Sequence, residues 1–131
     1  MIIFLRKYLF SIIYLLVIFI LCFMNTAPLP KSPMPNFDKL VHVLMFLGLS
    51  GVIFFDNTNY LRFPISKIWI FLSVFLFPIA IGGLIEIGQE YLTLSRSGDW
   101  FDFLFDVIGV SIGWSTVILI NRYLLLKKKP F

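Results

Sequence analysis

Four stretches of this chain are apolar for close to the length that carries an α-helix across a hydrocarbon core: about 7–24 ("KYLFSIIYLLVIFILCFM"), 37–55, 67–92 and 99–123. At 1.5 Å per residue, roughly 20 residues cross a core of roughly 30 Å. No water reaches the backbone there, so its N–H and C=O groups must pair within the segment, as helix. Composition agrees: 60% of the 131 residues are hydrophobic and 14% charged, against about 25% charged in soluble domains. The expected fold class is an all-α membrane protein, one domain over 1–131 with four transmembrane helices.

Breakers separate the runs. "TAPLPKSPMPN" holds Pro28, Pro30, Pro33 and Pro35, which cannot continue a helix. "DNTNYLRFP" reads as the turn that ends the second helix, and "SRSG" parts the third from the fourth. A cleaved signal peptide fits the first run less well, because the apolar stretch is long and Pro28 would follow the Ala27 site.

Basic residues give the orientation. Arg6, Lys7, Arg62, Lys67, Arg122, Lys127, Lys128 and Lys129 fall on one side, eight in all, against Lys31, Lys39 and Arg96, three, on the other. Positive residues concentrate on the cytoplasmic side, so both termini are expected there, with the proline-rich and "SRSGDWFD" loops outside. The net charge of +4 then belongs to helix ends facing membrane lipids, not to a nucleic-acid surface. Cys22 is the only cysteine, which excludes an internal disulfide and a cysteine-based metal cluster.

Acidic residues are concentrated. Five of the seven, Glu86, Glu90, Asp99, Asp102 and Asp106, lie in "EIGQEYLTLSRSGDWFDFLFDVIG". At 100° per residue, Asp38, His42 and Met45 share a face of the second helix. Gly82, Glu86 and Gln89 share a face of the third, and Asp99, Asp102, Asp106, Gly109 and Gly113 form a stripe on the fourth. Depths match as well: His42 lies about 6 Å, Glu86 about 9 Å and Asp106 about 10 Å inside the outer helix ends. A charged carboxylate at the centre of a membrane costs a few kcal/mol, so three elements accepting such groups at one level predicts that they meet.

Simpler roles account for some of these residues. Asp99 or Ser97 can cap the fourth helix, Asp38 the second, and Asp102 suits the first turn of a helix dipole. Gly109 and Gly113 read as a small-xxx-small packing pair, Pro78 as a kink, and Glu90 as a solvated helix end. His42 can be a buried histidine with one partner. Glu86 and Asp106 have no comparable structural explanation.

In order and spacing, "DKLVHVLMF", "EIGQEYL" and "RSGDWFDFLFDVIGVSIG" resemble the VanZ-like family of small bacterial membrane proteins. The matching positions are Asp38, Lys39, His42, Glu86, Gln89, Arg96, Asp99, Asp102, Gly109 and Gly113; Asp106 stands where that family usually has Asn. The resemblance implies a multi-pass protein of the bacterial cytoplasmic membrane with a link to the cell envelope; the family's namesake is associated with glycopeptide (teicoplanin) resistance, which does not follow from membership.

The expected function is an outward polar pocket that binds or modifies a lipid or cell-wall-precursor headgroup. His42, Glu86, Asp102 and Asp106 are the candidate acid–base groups. Asp38, Lys39, Gln89, Arg96 and Asp99 are the candidate ligand-binding residues, with Arg96 suited to a phosphate or carboxylate. Partners are membrane lipids and a cell-wall precursor or glycopeptide. No sequential metal motif is present, and no metal or cofactor is expected, although imidazole and carboxylate are suitable ligands for a divalent ion. A small proton-coupled exporter and a non-catalytic membrane scaffold are the alternatives.

Overall fold

The computed structural model describes residues 2–24, 36–60, 65–93 and 98–127. Among these, every regular element is helical: α1 (Ile2–Lys7), α2 (Leu9–Phe23), α3 (Phe37–Tyr60), α4 (Lys67–Ile70), a π-helical stretch (Phe71–Leu76), α5 (Phe77–Leu92) and α6 (Trp100–Lys127). The proline-rich loop and Arg96 lie outside the described residues. Three helices are long and apolar enough to cross a membrane: Phe37–Asn59, Lys67–Leu92 and Trp100–Leu126. Side chains such as Leu119 (68% exposed) and Ile20 (65%) cover the outer surface, as lipid contact requires. The chain is an all-α protein of multi-pass membrane type.

Three boundaries differ from expectation, one being the end of the fourth helix, which continues past Tyr123 to Lys127. The first apolar run is interrupted at Tyr8 (φ −111°, ψ 28°), which leaves an apolar helix of 15 residues, Leu9–Phe23. The second helix does not end at Phe55 but continues to Tyr60. Asp56 and Asn57, read from sequence as turn formers, are fully buried helical residues. Partners from other helices retain them. Asp56 Oδ2 accepts from the backbone N–H of Ser11 at 2.9 Å and from its hydroxyl at 2.7 Å. Asn57 Oδ1 accepts from Tyr8 Oη and Trp69 Nε1, each at 3.2 Å, and Asn57 Nδ2 donates to Ser73 Oγ at 2.9 Å. Lys7 lies over the Tyr8 and Trp69 rings, placing a cation and two amphipathic aromatics at this end of the bundle.

The third span stays helical through Pro78 by changing register. Phe77 N–H donates to Leu72 O, five residues back, inside the π-helical stretch. Proline has no N–H to give Val74 O, four residues before it. That carbonyl accepts from Ser50 Oγ of α3 at 2.9 Å instead. Trp114 of α6 packs on Phe71 and Phe75 of the same stretch, with ring centroids 5.5 and 5.7 Å away.

In lipid, apolar burial gives helices little reason to associate, so close backbone approach and hydrogen bonds carry more of the packing. The α3–α6 pair is the most extensive in the bundle. A Cβ added to Gly109 would collide with the Val43 carbonyl, and one added to Gly113 would lie 2.7 Å from Ser50 Cβ. These contacts run in the same order along both chains, so α3 and α6 are parallel. Their N-termini meet at the end of the bundle where α2 and α5 finish. An apolar middle of Phe46, Leu49, Ile53, Val74, Ile85 and Val110 separates this polar end from the Asp56 end.

Candidate functional site

The site forms where the first turns of α3 and α6 meet the last turns of α5. His42 projects from the second turn of α3 and is 5% exposed. Its Nδ1 lies 2.8 Å from Oδ1 of Asp106, a residue of α6 with no exposed surface. Its Nε2 lies 3.8 Å from Asp102 Oδ2, one turn earlier on α6. Lys39, one turn before His42, pairs with Asp102 at 3.6 Å and with Asp99 at 3.8 Å. The i, i+3 and i+4 spacing that aligned these residues on paper thus becomes a row of cross-helix pairs, Lys39–Asp102 and His42–Asp106, between two parallel helices.

Glu86 enters from α5 and is 3% exposed. Its Oε2 accepts from the backbone N–H of Asp99 at 2.7 Å, while Glu90 Oε2 accepts from Gly98 N–H at 3.0 Å. Two carboxylates one helical turn apart therefore hold the backbone that enters α6. Glu90, expected to be solvated, is exposed but takes part in this grip. Asp99 caps α6 itself, its Oδ1 accepting from Phe101 N–H at 2.8 Å. With both N-termini of α3 and α6 directed here, the helix dipoles favour negative charge in the site.

His42, Glu86 and Asp106 each offer a ligand atom, and the three atoms lie within 4.8 Å of one another. Asp102 adjoins them. Of the four residues expected to supply acid–base groups, all four are therefore at one place. Of the five expected to bind ligand, Lys39 and Asp99 join the cluster through ion pairs. Asp38 is exposed on the first turn of α3 and makes no hydrogen bond or ion pair among the described residues. Gln89 is buried but turned to α2, where its Nε2 donates to Cys22 O at 2.8 Å. It sits roughly 60° around α5 from Glu86, enough to face a different helix. Arg96 falls outside the described residues.

Among the described residues, two oxygens in this core have no hydrogen-bond partner, Glu86 Oε1 and Asp106 Oδ2. Asp102 Oδ1 likewise accepts no hydrogen bond and has only its ion pair with Lys39. Gly82 leaves room for Asp106: a Cβ there would lie 2.9 Å from Oδ2. A cavity of about 500 Å³, lined by Glu86, Glu90, Tyr91, Gly98 and Trp100 among others, opens beside Glu86. The arrangement can hold a cation, exchange a proton between imidazole and carboxylate, or accept hydrogen bonds from a polar group entering by that cavity.

Sequence reading missed the second polar cluster, around Asp56. The available signal was Ser11, a polar residue inside the first apolar run at a level that matches Asp56 on the second. No family model, curated protein or solved structure matches the chain.

Proposed function

We propose that this protein is a VanZ-like component of the bacterial cell envelope, set in the cytoplasmic membrane, whose outward polar pocket binds or modifies the headgroup of a lipid or cell-wall precursor. The chain crosses the membrane four times with both termini in the cytoplasm. The eight-to-three distribution of basic residues supports that orientation. The length of the first apolar run across α1 and α2, and the hydrogen bonds from α2 to α3 and α5, support a fourth span.

The observation that carries the functional reading is the position of Glu86. One oxygen holds the start of α6, the other has no partner among the described residues, and the residue borders the cavity of about 500 Å³ at the membrane-surface end of the cluster. Polar donors on a headgroup, such as hydroxyl or ammonium groups, complement those acceptors. Trp100 and Tyr91 at the rim are of the type that sits at the headgroup level.

Glu86→Gln and Asp102→Asn test the reading, because each keeps shape and most hydrogen bonding while removing a negative charge. Both variants are expected to insert and fold at wild-type levels yet lose the envelope phenotype, read as sensitivity of cells to teicoplanin. Wild-type sensitivity in both folded variants would overturn the proposal and leave the cluster as a helix lock.

A further inference from the structure

The geometry points to a divalent transition-metal site formed by a ring nitrogen of His42 and one carboxylate oxygen each from Glu86 and Asp106. The inference stands apart from the headgroup reading, since it concerns what the residues bind and not what the cavity admits.

Three observations lead to it. The three donor atoms come from three helices and lie within 4.8 Å of one another. A tetrahedral ion with ligands about 2.0–2.1 Å away separates its ligands by roughly 3.3 Å, so closing the set asks for side-chain shifts of about 1.5 Å at most. Second, the residues are at least nine-tenths buried, and Glu86 Oε1 and Asp106 Oδ2 have no hydrogen-bond partner among the described residues. Such acceptors are costly in a low-dielectric interior unless a donor or a cation answers them. Third, a divalent ion would relieve most of the negative charge gathered at the site. Glu86 and Asp106 carry two negative charges against a divalent cation, while Asp102 is answered by Lys39 at 3.6 Å. Without it, among the described residues, Lys39 and His42 face four carboxylates: Glu86, Asp99, Asp102 and Asp106.

The donor set narrows the ion. One imidazole with two carboxylates suits Zn²⁺, Mn²⁺ or Fe²⁺ better than Mg²⁺ or Ca²⁺, which prefer oxygen alone, or Cu⁺, which prefers sulfur. Three protein ligands also leave a coordination position open to a further ligand. Asp102, facing Nε2 of the same ring at 3.8 Å, stands where a carboxylate orients a metal-bound histidine.

The test uses the full chain without an affinity tag, in detergent, stripped with EDTA and dialysed against Zn²⁺ or Mn²⁺. About one equivalent of metal is expected to remain on the wild-type protein. Glu86→Gln and Asp106→Asn should lose it, Asp102→Asn should bind about 10–100-fold more weakly, and Ser115→Ala, exposed on α6 away from the site, should bind as wild type. Because the chain has one histidine and one cysteine, X-ray absorption at the zinc edge of the wild-type protein is decisive even where a variant fails to fold. One imidazole with oxygen ligands supports the site. Retention of no metal by the wild type, ligation by sulfur or by oxygen alone, or undiminished binding in folded Glu86→Gln and Asp106→Asn would overturn it. None of these readouts depends on the teicoplanin phenotype.

Discussion

His42 Nδ1 and Asp106 Oδ1 lie 2.8 Å apart although 64 residues separate them in sequence. The contact joins α3 to α6 in the buried interior of the bundle. In chelator-treated protein, Asp106→Ala should lower stability by about 1–3 kcal/mol, since a buried ring nitrogen loses its partner. Asp106→Asn retains an acceptor and should cost less. Thermal unfolding in detergent with EDTA separates this effect from any contribution of bound metal.

The parallel α3–α6 contact depends on Gly109. A methyl group there meets the Val43 carbonyl, which is backbone and cannot rotate away. Gly109→Ala should therefore force the helices apart and cost about 1–3 kcal/mol. Gly51→Ala, where nothing lies within 4 Å, should be neutral or stabilise by up to about 1 kcal/mol. Denaturation of both variants in mixed micelles compares them directly.

Gly82 is expected to act on the site rather than on the fold. Its added Cβ would lie 2.9 Å from Asp106 Oδ2, whereas the nearest atom to a Cβ on Gly83 is at 3.6 Å. Gly82→Ala should weaken Zn²⁺ binding by about 10-fold, a typical effect of disturbing a ligand's support. Gly83→Ala should bind as wild type. Equal affinities in a titration of the two variants would contradict this.

At the other end, Ser11 gives Asp56 two hydrogen bonds, one from its backbone and one from its hydroxyl. Ser11→Ala removes only the second. A bond to a charged group is worth about 1.5–3 kcal/mol in water-soluble proteins and less in lipid, so a loss of about 1–2 kcal/mol is expected. Chemical unfolding is the measurement, and the site at the opposite end should keep its metal affinity.

Topology is open to cysteine labelling. Cysteines at Ser32 and Ser97 should react with a membrane-impermeant thiol reagent in whole cells, and one at Asn59 should not. Asn59 is chosen because it is exposed, whereas the neighbouring Asn57 is buried. The reverse pattern would place the pocket in the cytoplasm.

Helix type, the approximate positions of the three long helices and the matched level of His42, Glu86 and Asp106 were legible in the sequence, because they depend on local hydropathy and a rise of 1.5 Å per residue. The stripe from Asp102 to Gly113 was legible for the same reason: its spacing of three and four sets one face, and that face is the one that meets α3. Partner choice was not legible. Gln89 lies on nearly the same face as Glu86, yet one bonds to α2 and the other to the start of α6. Asp56 carries the same turn propensity in either setting, and the hydrogen bonds it accepts inside the helix come from Ser11, 45 residues away. In a chain apolar on every side, hydropathy does not say how each helix is rotated about its axis. Close glycine contacts and cross-helix hydrogen bonds decide that rotation, and they exist only once the helices have packed.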